Sequence, residues 1–248
     1  MQNILTVRFL GVGDASQQAL GHAAIVVECG EENSKNNLLV DCGPRTISSY
    51  FDVYNELPSA VFITHCHLDH IADLEVFFIK TWFSGRENFR PKLFVPVSII
   101  PLLHQRVATY PGVLAEGGVN FWDAFQLIPV SDSFEYGSLV FHLFPARHHG
   151  ANSAFSLCVQ DAFFYSGDTR PVPEIIEYHV SENTQIFHDC SVMGNPSHSG
   201  IDDILREYKP ATIERMFFYH YHSEKDIPAF DVQNMKVVKP GQVFNFPV

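Results

Sequence analysis

Residues 60–70 read AVFITHCHLDH, an apolar run, Ala60–Thr64, that leads directly into three histidines and an aspartate. The run predicts a strand buried on both faces. The hexapeptide after it would be costly to bury unpaired, because imidazole and carboxylate groups lose their water when they are enclosed. His65 and His67 are two residues apart and project to the same side of an extended chain. Four such groups at the end of a strand indicate a metal site on a loop.

Length and composition favour one compact domain, which we predict over residues 1–248. Hydrophobic residues make up 46% of the 248 residues and charged residues 18%, which is typical of a globular protein with a large core. The sequence contains no apolar run of the ~18–20 residues that span a membrane. The first residues read as a strand rather than a signal peptide, and the five cysteines form no CxxC pair. These features predict free thiols in a reducing compartment, and hence a cytoplasmic protein.

The formal net charge of −12 argues against a polymeric nucleic acid as partner. Binding of such a polyanion depends on Lys and Arg contacts to phosphate. This chain has 16 Lys and Arg residues against 28 Asp and Glu residues. Two bound divalent cations would create a local positive field in an otherwise acidic protein. The charge is therefore compatible with a small anionic substrate held at a metal site.

Short strands mixed with helices predict a layered α/β domain. The predicted strands are Ile4–Leu10, Ala23–Cys29, Asn37–Asp41, Ala60–Thr64, Leu139–Phe144, Ala154–Val159, Ala162–Ser166, Gln185–His188 and Met216–Tyr219. The predicted helices are Leu68–Phe83, Val97–Thr109, Pro173–His179 and Ile201–Tyr208. Residues 77–125 are rich in aromatic residues and proline, and we interpret them as a helical insertion beside the site that contributes to the pocket or to a dimer face.

HCHLDH resembles the HxHxDH signature of the metallo-β-lactamase superfamily, and further motifs of that family follow in order. Leu39–Gly43 is similar to its strand-ending Asp-x-Gly, and Ser166-Gly-Asp168 is similar to its (S/T)GD. The resemblance implies a four-layer αββα sandwich with two metal ions at one edge between the sheets. It also implies that Asp41 is not a metal ligand and instead supports the ligand loop through hydrogen bonds.

Carried over residue by residue, the resemblance assigns ligands to two ions. His65, His67 and a third histidine would hold the first ion. Asp69, His70 and a final histidine would hold the second, with Asp168 bridging the two. Imidazole and carboxylate ligands favour zinc, with manganese or iron as alternatives. Asp69 would in addition orient the nucleophile.

Two ligands stay ambiguous because histidines occur in pairs. Counting forward from Pro145 favours His148 as the third ligand of the first ion, whereas counting back from the next strand favours His149, and we prefer His149. The last ligand is His220 or His222. We prefer His220 because it directly ends the preceding predicted strand.

One further histidine points to a branch of the family. Asn195-Pro-Ser-His198-Ser lies before a predicted helix and resembles the ribonuclease Z branch, in which a histidine at this place acts on the phosphodiester. Asp189 and His198 match that pattern. A histidine beside two metal ions can protonate a leaving oxygen, so His198 is a candidate general acid. The alternative is a helix-capping segment, with Ser197 or Ser199 as the cap.

The chain lacks the long arm that ribonuclease Z carries for tRNA between its third histidine and the bridging aspartate. What remains resembles the armless cyclic-nucleotide phosphodiesterases of this branch, among them enzymes that bacteriophages and bacteria use to degrade cyclic-nucleotide signals. We therefore expect a zinc-dependent phosphodiesterase that converts a 3′,5′-cyclic nucleotide to the 5′-monophosphate, in a homodimer as is common in this branch.

Three alternatives remain open at this point. A hydrolase of a carboxylic ester, thioester or lactone would use the same metals without needing His198. A non-catalytic binding protein on this fold would normally have lost ligands, and none is missing from this sequence. A flavodiiron-type oxidoreductase would usually carry a glutamate in the first motif and a flavin domain, and neither is present.

Overall fold

The computed structural model of the chain describes residues 4–29, 36–86, 88–109 and 113–247. Within these ranges the strands form two seven-stranded sheets, which pack face to face with helices on their outer sides. This is the predicted αββα sandwich, so the predicted fold class is confirmed.

The strands divide between the two sheets in chain order, apart from the last one, which returns to the first sheet. In order they are β1 (Ile4–Gly11), β2 (Ala24–Cys29), β3 (Asn36–Val40), β4 (Ala60–Phe62), β5 (Lys92–Pro96), β6 (Gln126–Val130), β7 (Ser133–Tyr136), β8 (Leu139–Pro145), β9 (Phe155–Val159), β10 (Phe163–Tyr165), β11 (Gln185–Asp189), β12 (Met216–Tyr219), β13 (Lys236–Val237) and β14 (Val243–Pro247). The first sheet has the order β14-β1-β2-β3-β4-β5-β6, with β3 to β6 parallel. The second has the order β13-β12-β11-β10-β9-β8-β7, with β10 to β13 parallel.

The helices are short and lie between the strands in sequence. They are α1 (Thr46–Tyr54), α2 (Leu68–Ile71), α3 (Leu74–Trp82), α4 (Ile100–Leu103), α5 (Pro173–His179), α6 (Ile201–Glu207), α7 (Pro210–Ile213) and α8 (Ile227–Val232). Single 3₁₀ turns cover Val97–Ile99, Phe121–Ala124 and Glu224–Asp226, and a π-helical turn covers His104–Ala108. None of the helices in the described ranges is long and apolar enough to cross a membrane.

Aromatic rings from both sheets form the core between them. Phe9 of β1 lies 5.0 Å from Phe187 of β11, measured between ring centroids. At the other end, Phe134 of β7 lies 4.4 Å from Phe94 of β5 and 5.5 Å from Phe62 of β4. Because large aromatic side chains dominate the energetics of a core, these contacts hold the two sheets in register and thereby fix the edge that carries the metal motif.

The nine predicted strands are all present, each within two residues of the predicted bounds. The predicted helix Leu68–Phe83 is broken into α2 and α3. The break occurs because Asp73 makes other contacts: its N–H donates to the Cys42 carbonyl (3.0 Å), and its carboxylate accepts the N–H of Ile47 at the start of α1 (2.9 Å). The predicted helix Val97–Thr109 is present as successive 3₁₀, α and π segments.

Residues 77–125 are not a purely helical insertion. They contain β5, which pairs in parallel with both β4 and β6 and is therefore an integral strand of the first sheet. The run Lys92–Pro96 is short and lies in a proline-rich context, so the hydrophobic periodicity of the sequence does not indicate a strand there. Phe77 and Phe78 are fully buried in the core, whereas Trp82 and Phe83 are exposed.

Four of the cysteines, Cys42, Cys66, Cys158 and Cys190, are buried free thiols. The side chain of Cys29 lies outside the described part of the chain.

The parallel strands of both sheets end at one edge of the sandwich. β3 and β4 lead there to Asp41 and His65, and β10 and β12 lead to Asp168 and His220. Backbone hydrogen bonds connect the two sheets at this edge, including Phe155 N–H to the Thr64 carbonyl (3.1 Å). The carboxyl ends of parallel strands are where ligands bind in α/β folds, so the fold places the motif residues in such a position.

Candidate metal centre

Three overlapping groups of histidine and carboxylate side chains meet at this edge. In each group one ligand atom from every member lies within 4.8 Å of those from the others. The first group is His65, His67, His148 and Asp168; the second is Asp69, His70, Asp168 and His220; the third is Asp168, Asp189, His198 and His220. Asp168 belongs to all of them, so the structure brings the HCHLDH motif together with residues from the second sheet.

Oδ2 of Asp168 lies at the centre of these groups. It is 3.2 Å from Nε2 of His70 and 3.4 Å from Nε2 of His220. The Nε2 atoms of His65 and His148 lie 3.6 and 3.9 Å away from the same oxygen. A carboxylate surrounded by four imidazole nitrogens, two from each of the first two groups, has the arrangement needed for a residue that bridges two cations.

The buried polar atoms of these groups fit metal ions. Nε2 of His65, His70 and His220 and Oδ1 of Asp168 are buried and make no hydrogen bond to any described residue. An unsatisfied buried polar atom is costly, and several of them aimed at one point are rare unless an ion satisfies them. Imidazole and carboxylate are ligands that zinc accepts. The residues present therefore suit a metal site.

The structure brings His148 into the first group and leaves His149 out of it. Nε2 of His148 lies 3.0 Å from Nδ1 of His67, and Nδ1 of His148 donates to the Ser197 carbonyl (3.0 Å). His149 is exposed and its Nδ1 lies 3.4 Å from the Ser197 hydroxyl. The preference for His149, which came from counting back from the following strand, is thus opposite to the geometry. The turn at residues 147–153 takes up more residues than that count allowed.

The other histidine pair is arranged as preferred. His220 lies in the second and third groups, while His222 is exposed and its Nδ1 lies 3.0 Å from Asp14 Oδ2. His220 has a φ of 70°, a left-handed conformation that costs a non-glycine residue roughly 1–3 kcal/mol and that clusters at functional sites. Its N–H donates to the Val12 carbonyl (2.6 Å), which holds this conformation in place.

Close backbone packing positions the ligands on α2. The N–H of Cys42 donates to the His70 carbonyl (2.7 Å), and Nδ1 of His70 lies 2.8 Å from Asp41. Gly43 lies directly against Asp69: a Cβ added to Gly43 would meet the Asp69 carbonyl oxygen at 1.6 Å. The Asp-x-Gly motif therefore needs its glycine so that the chain after β3 can approach the ligand helix.

We expect Gly43→Ala to displace Asp69 and weaken metal binding. The obstacle is backbone, which cannot rotate away, so overpacking should also cost about 1–3 kcal/mol of stability. Metal content by elemental analysis and thermal unfolding measure the two effects. Gly150→Ala is the matched control, because a Cβ there would meet only the Ser153 hydroxyl oxygen, at an ordinary 3.8 Å. Metal content for Gly43→Ala equal to that of the control would contradict this account.

His198 lies between the two ligand groups. Its ring centroid is 4.8 Å from that of His148 and 4.7 Å from that of His220, with which it is stacked. Nδ1 of His198 lies 2.8 Å from Oδ2 of the buried Asp189, which also accepts the Thr169 N–H (2.8 Å). His198 is thus oriented by a carboxylate and remains partly accessible.

The loop that carries His198 is shaped by two glycines in contact. A Cβ on Gly200 would meet the Gly194 nitrogen at 2.1 Å, and one on Gly194 would meet Asp203 Oδ2 at 2.1 Å. Asp203 accepts the Gly200 N–H at the start of α6 (3.1 Å). The N-cap of α6 is Gly200, so neither Ser197 nor Ser199 is the cap that the alternative interpretation named. The Ser199 hydroxyl donates instead to the Thr169 carbonyl (2.9 Å), and the segment Asn195–Ser199 brings His198 to the site.

The electrostatics of the site follow from burial and mutual charge. Burial raises the pKa of Asp168, but His220 and His70 outweigh it and hold that pKa well below its usual value. Burial and the neighbouring His148 and His149 lower the pKa of His67 to about 4, so that its ring is neutral and able to act as a ligand at pH 7. Burial also opposes protonation of His198, yet its hydrogen bond to Asp189 raises the pKa of His198 to about 9.

The sequence pattern matched Asp189 without indicating its role, and it did not point to Thr64. Asp189 orients His198, and Thr64 contacts both Asp41 and His65. The available signal for Thr64 was its position, since it is a lone hydroxyl at the end of an apolar strand, directly before the first ligand.

Comparison with known proteins agrees with this geometry. The family described as anti-Pycsar protein Apyc1 matches residues 5–244. An anti-Pycsar protein Apyc1 from Paenibacillus harenae is 26% identical over 244 residues, which cover 94% of this chain and 97% of the relative. One from Bacillus phage BSP38 is 26% identical over 246 residues, covering 89% and 90% of the two chains.

Solved structures share the fold at low sequence identity. The metallo-β-lactamase fold protein YhfI from Bacillus subtilis has a TM-score of 0.75 at 18% identity, covering 98% of this chain and all of YhfI. The short form of human tRNase Z has a TM-score of 0.66 at 17% identity, covering 98% of this chain and all of the enzyme. These structures confirm the metallo-β-lactamase fold that the sequence motifs predicted.

The family match spans nearly the whole chain, and the buried histidine and carboxylate groups suit metal ions. The prediction of a metal-dependent hydrolase is therefore confirmed, and the chain belongs to the Apyc1 family of anti-Pycsar proteins.

Proposed function

We propose that this protein is a binuclear zinc phosphodiesterase that hydrolyses a 3′,5′-cyclic nucleotide to the 5′-monophosphate. The observation that carries the proposal is the position of His198, whose ring lies beside both His148 and His220. Its Nδ1 is 2.8 Å from Oδ2 of Asp189, which orients the ring. Hydrolysis of a carboxylic ester, thioester or lactone at the same metals would not need this residue. The relatives come from a Paenibacillus species and a Bacillus phage, the two kinds of source expected for enzymes that degrade cyclic-nucleotide signals.

In this proposal the chain's ligands divide between two ions. His65, His67 and His148 would hold the first ion, Asp69, His70 and His220 the second, and Asp168 would lie between them. Zinc, when bound, would lower the pKa of a coordinated water to about 7 and neutralise charge on the phosphate. Manganese is the alternative ion.

The chain's own groups account for the remaining requirements of the reaction. A water oxygen bonds to phosphorus while the P–O3′ bond breaks, and the departing O3′ needs a proton. His198 donates that proton, and its contact with Asp189 keeps the ring oriented for the transfer. Asp69, fixed on α2, orients the attacking water.

The short connection beside the site and the net charge of the chain favour a small substrate. The connection between His148 and Asp168 contains β9 and β10 and no long arm, and the chain carries a net charge of −12. A cyclic mononucleotide offers one phosphate to the metals without requiring a basic surface for a polymer. In the same proposal the protein acts in the cytoplasm and as a homodimer, and light scattering measures the latter.

The direct test is incubation of the zinc-loaded protein with cyclic AMP, cyclic GMP, cyclic CMP and cyclic UMP. Chromatography should show a 5′-monophosphate from at least one of them, and a chelator should abolish its formation. A parallel panel contains a thioester and a lactone. No turnover of the four nucleotides together with rapid thioester or lactone hydrolysis would contradict the phosphodiesterase and leave the metal site intact. A 3′-monophosphate would mean that the wrong bond was assigned.

A further inference from the structure

Thr64 is a buried residue that contacts both Asp41 and His65. It follows strand β4 and is itself fully buried. Its N–H donates to Asp41 Oδ1 (2.8 Å), and its hydroxyl lies 2.8 Å from Asp41 Oδ2. The same hydroxyl lies 3.1 Å from Nδ1 of His65. Thr64 therefore connects the carboxylate of Asp41 to the first histidine of the motif.

The direction of each hydrogen bond follows from counting protons. A carboxylate only accepts, so the single hydroxyl proton of Thr64 is donated to Asp41. The hydroxyl oxygen then accepts, which requires a proton on Nδ1 of His65. Nδ1 of His70 lies 2.8 Å from the same Asp41 oxygen and must donate for the same reason.

Both rings are consequently oriented in the same way. With the proton on Nδ1, Nε2 of each ring is the atom left to bind a metal, and these are two of the buried atoms without a hydrogen-bond partner among the described residues. They lie 3.6 Å (His65) and 3.2 Å (His70) from Oδ2 of Asp168. His65 belongs to the first ligand group and His70 to the second.

We propose that Thr64 is a positioning residue that links His65 to Asp41, so that one buried carboxylate orients a ligand of each metal ion. This inference rests on the binuclear site of the proposed function. It makes the support of the two ions unequal. Asp41 holds His70 directly, but it reaches His65 only through the Thr64 hydroxyl.

Two variants separate these contacts. Thr64→Val keeps the shape of the side chain and removes the hydroxyl. It should therefore lower the affinity for the ion that His65 would hold by about 10–100-fold, the usual effect of losing a ligand's hydrogen-bond partner. The other ion should bind as in the wild type. Asp41→Asn should lower the affinity for both ions. Asparagine tolerates the φ of 65° found at this position, so the backbone should not be strained further. Thr64→Ser retains the hydroxyl and is the matched control.

Stepwise zinc affinities are measured by competition with a chromophoric chelator, with circular dichroism to verify folding. Wild-type affinities for both ions in Thr64→Val would overturn the inference. Equal weakening in Thr64→Ser and Thr64→Val would also overturn it, because the effect would then lie in methyl packing. Failure of the wild type to bind two ions would count instead against the proposed binuclear site.

A second measurement can be made on the wild type itself and extended to the variant. Long-range ¹H–¹⁵N spectra of the zinc-loaded wild type should show His65 and His70 both protonated at Nδ1. In Thr64→Val the His65 Nδ1 proton should exchange rapidly with water while that of His70 persists. Protonation of His65 at Nε2 in the wild type would overturn the inference whether or not the variants fold.

Discussion

Asp168→Ala is expected to lose both metal ions and to reduce phosphodiester hydrolysis by at least about 10³-fold, the upper end of what removal of a single electrostatic group costs in other enzymes. The reason is the central position of the carboxylate. Its Oδ2 lies within 3.9 Å of Nε2 of four histidines, two from each ligand group. Without this negative charge, two cations at this edge would repel each other and the histidines would lose the acceptor around which they converge.

Elemental analysis and turnover of the same preparation measure this effect. Metal content should fall from about two ions per chain, as a binuclear site requires, to less than one. Asp168→Asn separates charge from shape, since it keeps one oxygen and removes the negative charge, and it should lie closer to the alanine variant than to the wild type. Asp132→Asn is the control, because it makes the same change of net charge at an exposed residue outside the ligand groups. Full metal content in Asp168→Ala would show that Asp168 does not bridge the ions.

His198→Ala should keep both metal ions and still lower the rate on a cyclic nucleotide by ~10²–10⁴-fold, the usual contribution of a general acid. The geometry separates the two effects. His198 lies beside His148 and His220, but its Nδ1 is already bound to Asp189, so the ring is available for proton donation rather than needed as a ligand. Removing it leaves the first two ligand groups complete.

The choice of leaving group tests the role of His198 directly. A nitrophenyl phosphodiester releases a stable anion that needs no proton, so His198→Ala should lose much less activity on it than on a cyclic nucleotide. Equal losses on both substrates would mean that His198 positions the substrate only. Loss of a metal ion in the variant would place His198 among the ligands, as the third group of side chains allows. His179→Ala, an exposed histidine outside all three groups, is the control.

Much of the centre could be predicted from sequence because its ligands are local. His65 and His67 need only an extended chain to face the same way, and Asp69 and His70 need only the first turn of α2. The strand before them is apolar throughout, so its burial and its end were evident. The order of the remaining motifs then implied the sandwich, which the two sheets confirm.

Several features could not be obtained in this way, for identifiable reasons. β5 was missed because a five-residue strand buried in the sheet has no alternating pattern, and proline and aromatic residues surround it. The predicted helix over residues 68–83 was too long because the Asp73 carboxylate accepts a hydrogen bond from the N–H of Ile47 at the start of α1 (2.9 Å). This contact joins two separate segments, so no local sequence pattern indicates it.

The choice between His148 and His149 was decided by tertiary structure alone. His148 and His149 are adjacent, and which one faces Asp168 depends on the turn between β8 and β9 and on the Ser197 carbonyl that accepts from His148. His220 reaches the site through a left-handed backbone, which its hydrogen bond to the carbonyl of Val12, directly after β1 of the other sheet, holds in place. The sequence by itself therefore determined the residue types of the candidate ligands, their local spacing and the fold. Which of His148 and His149 faces Asp168, and how Thr64 and Asp189 contact the candidate ligands and His198, depends on contacts between segments far apart in the chain, because only packing of the two sheets brings those segments together.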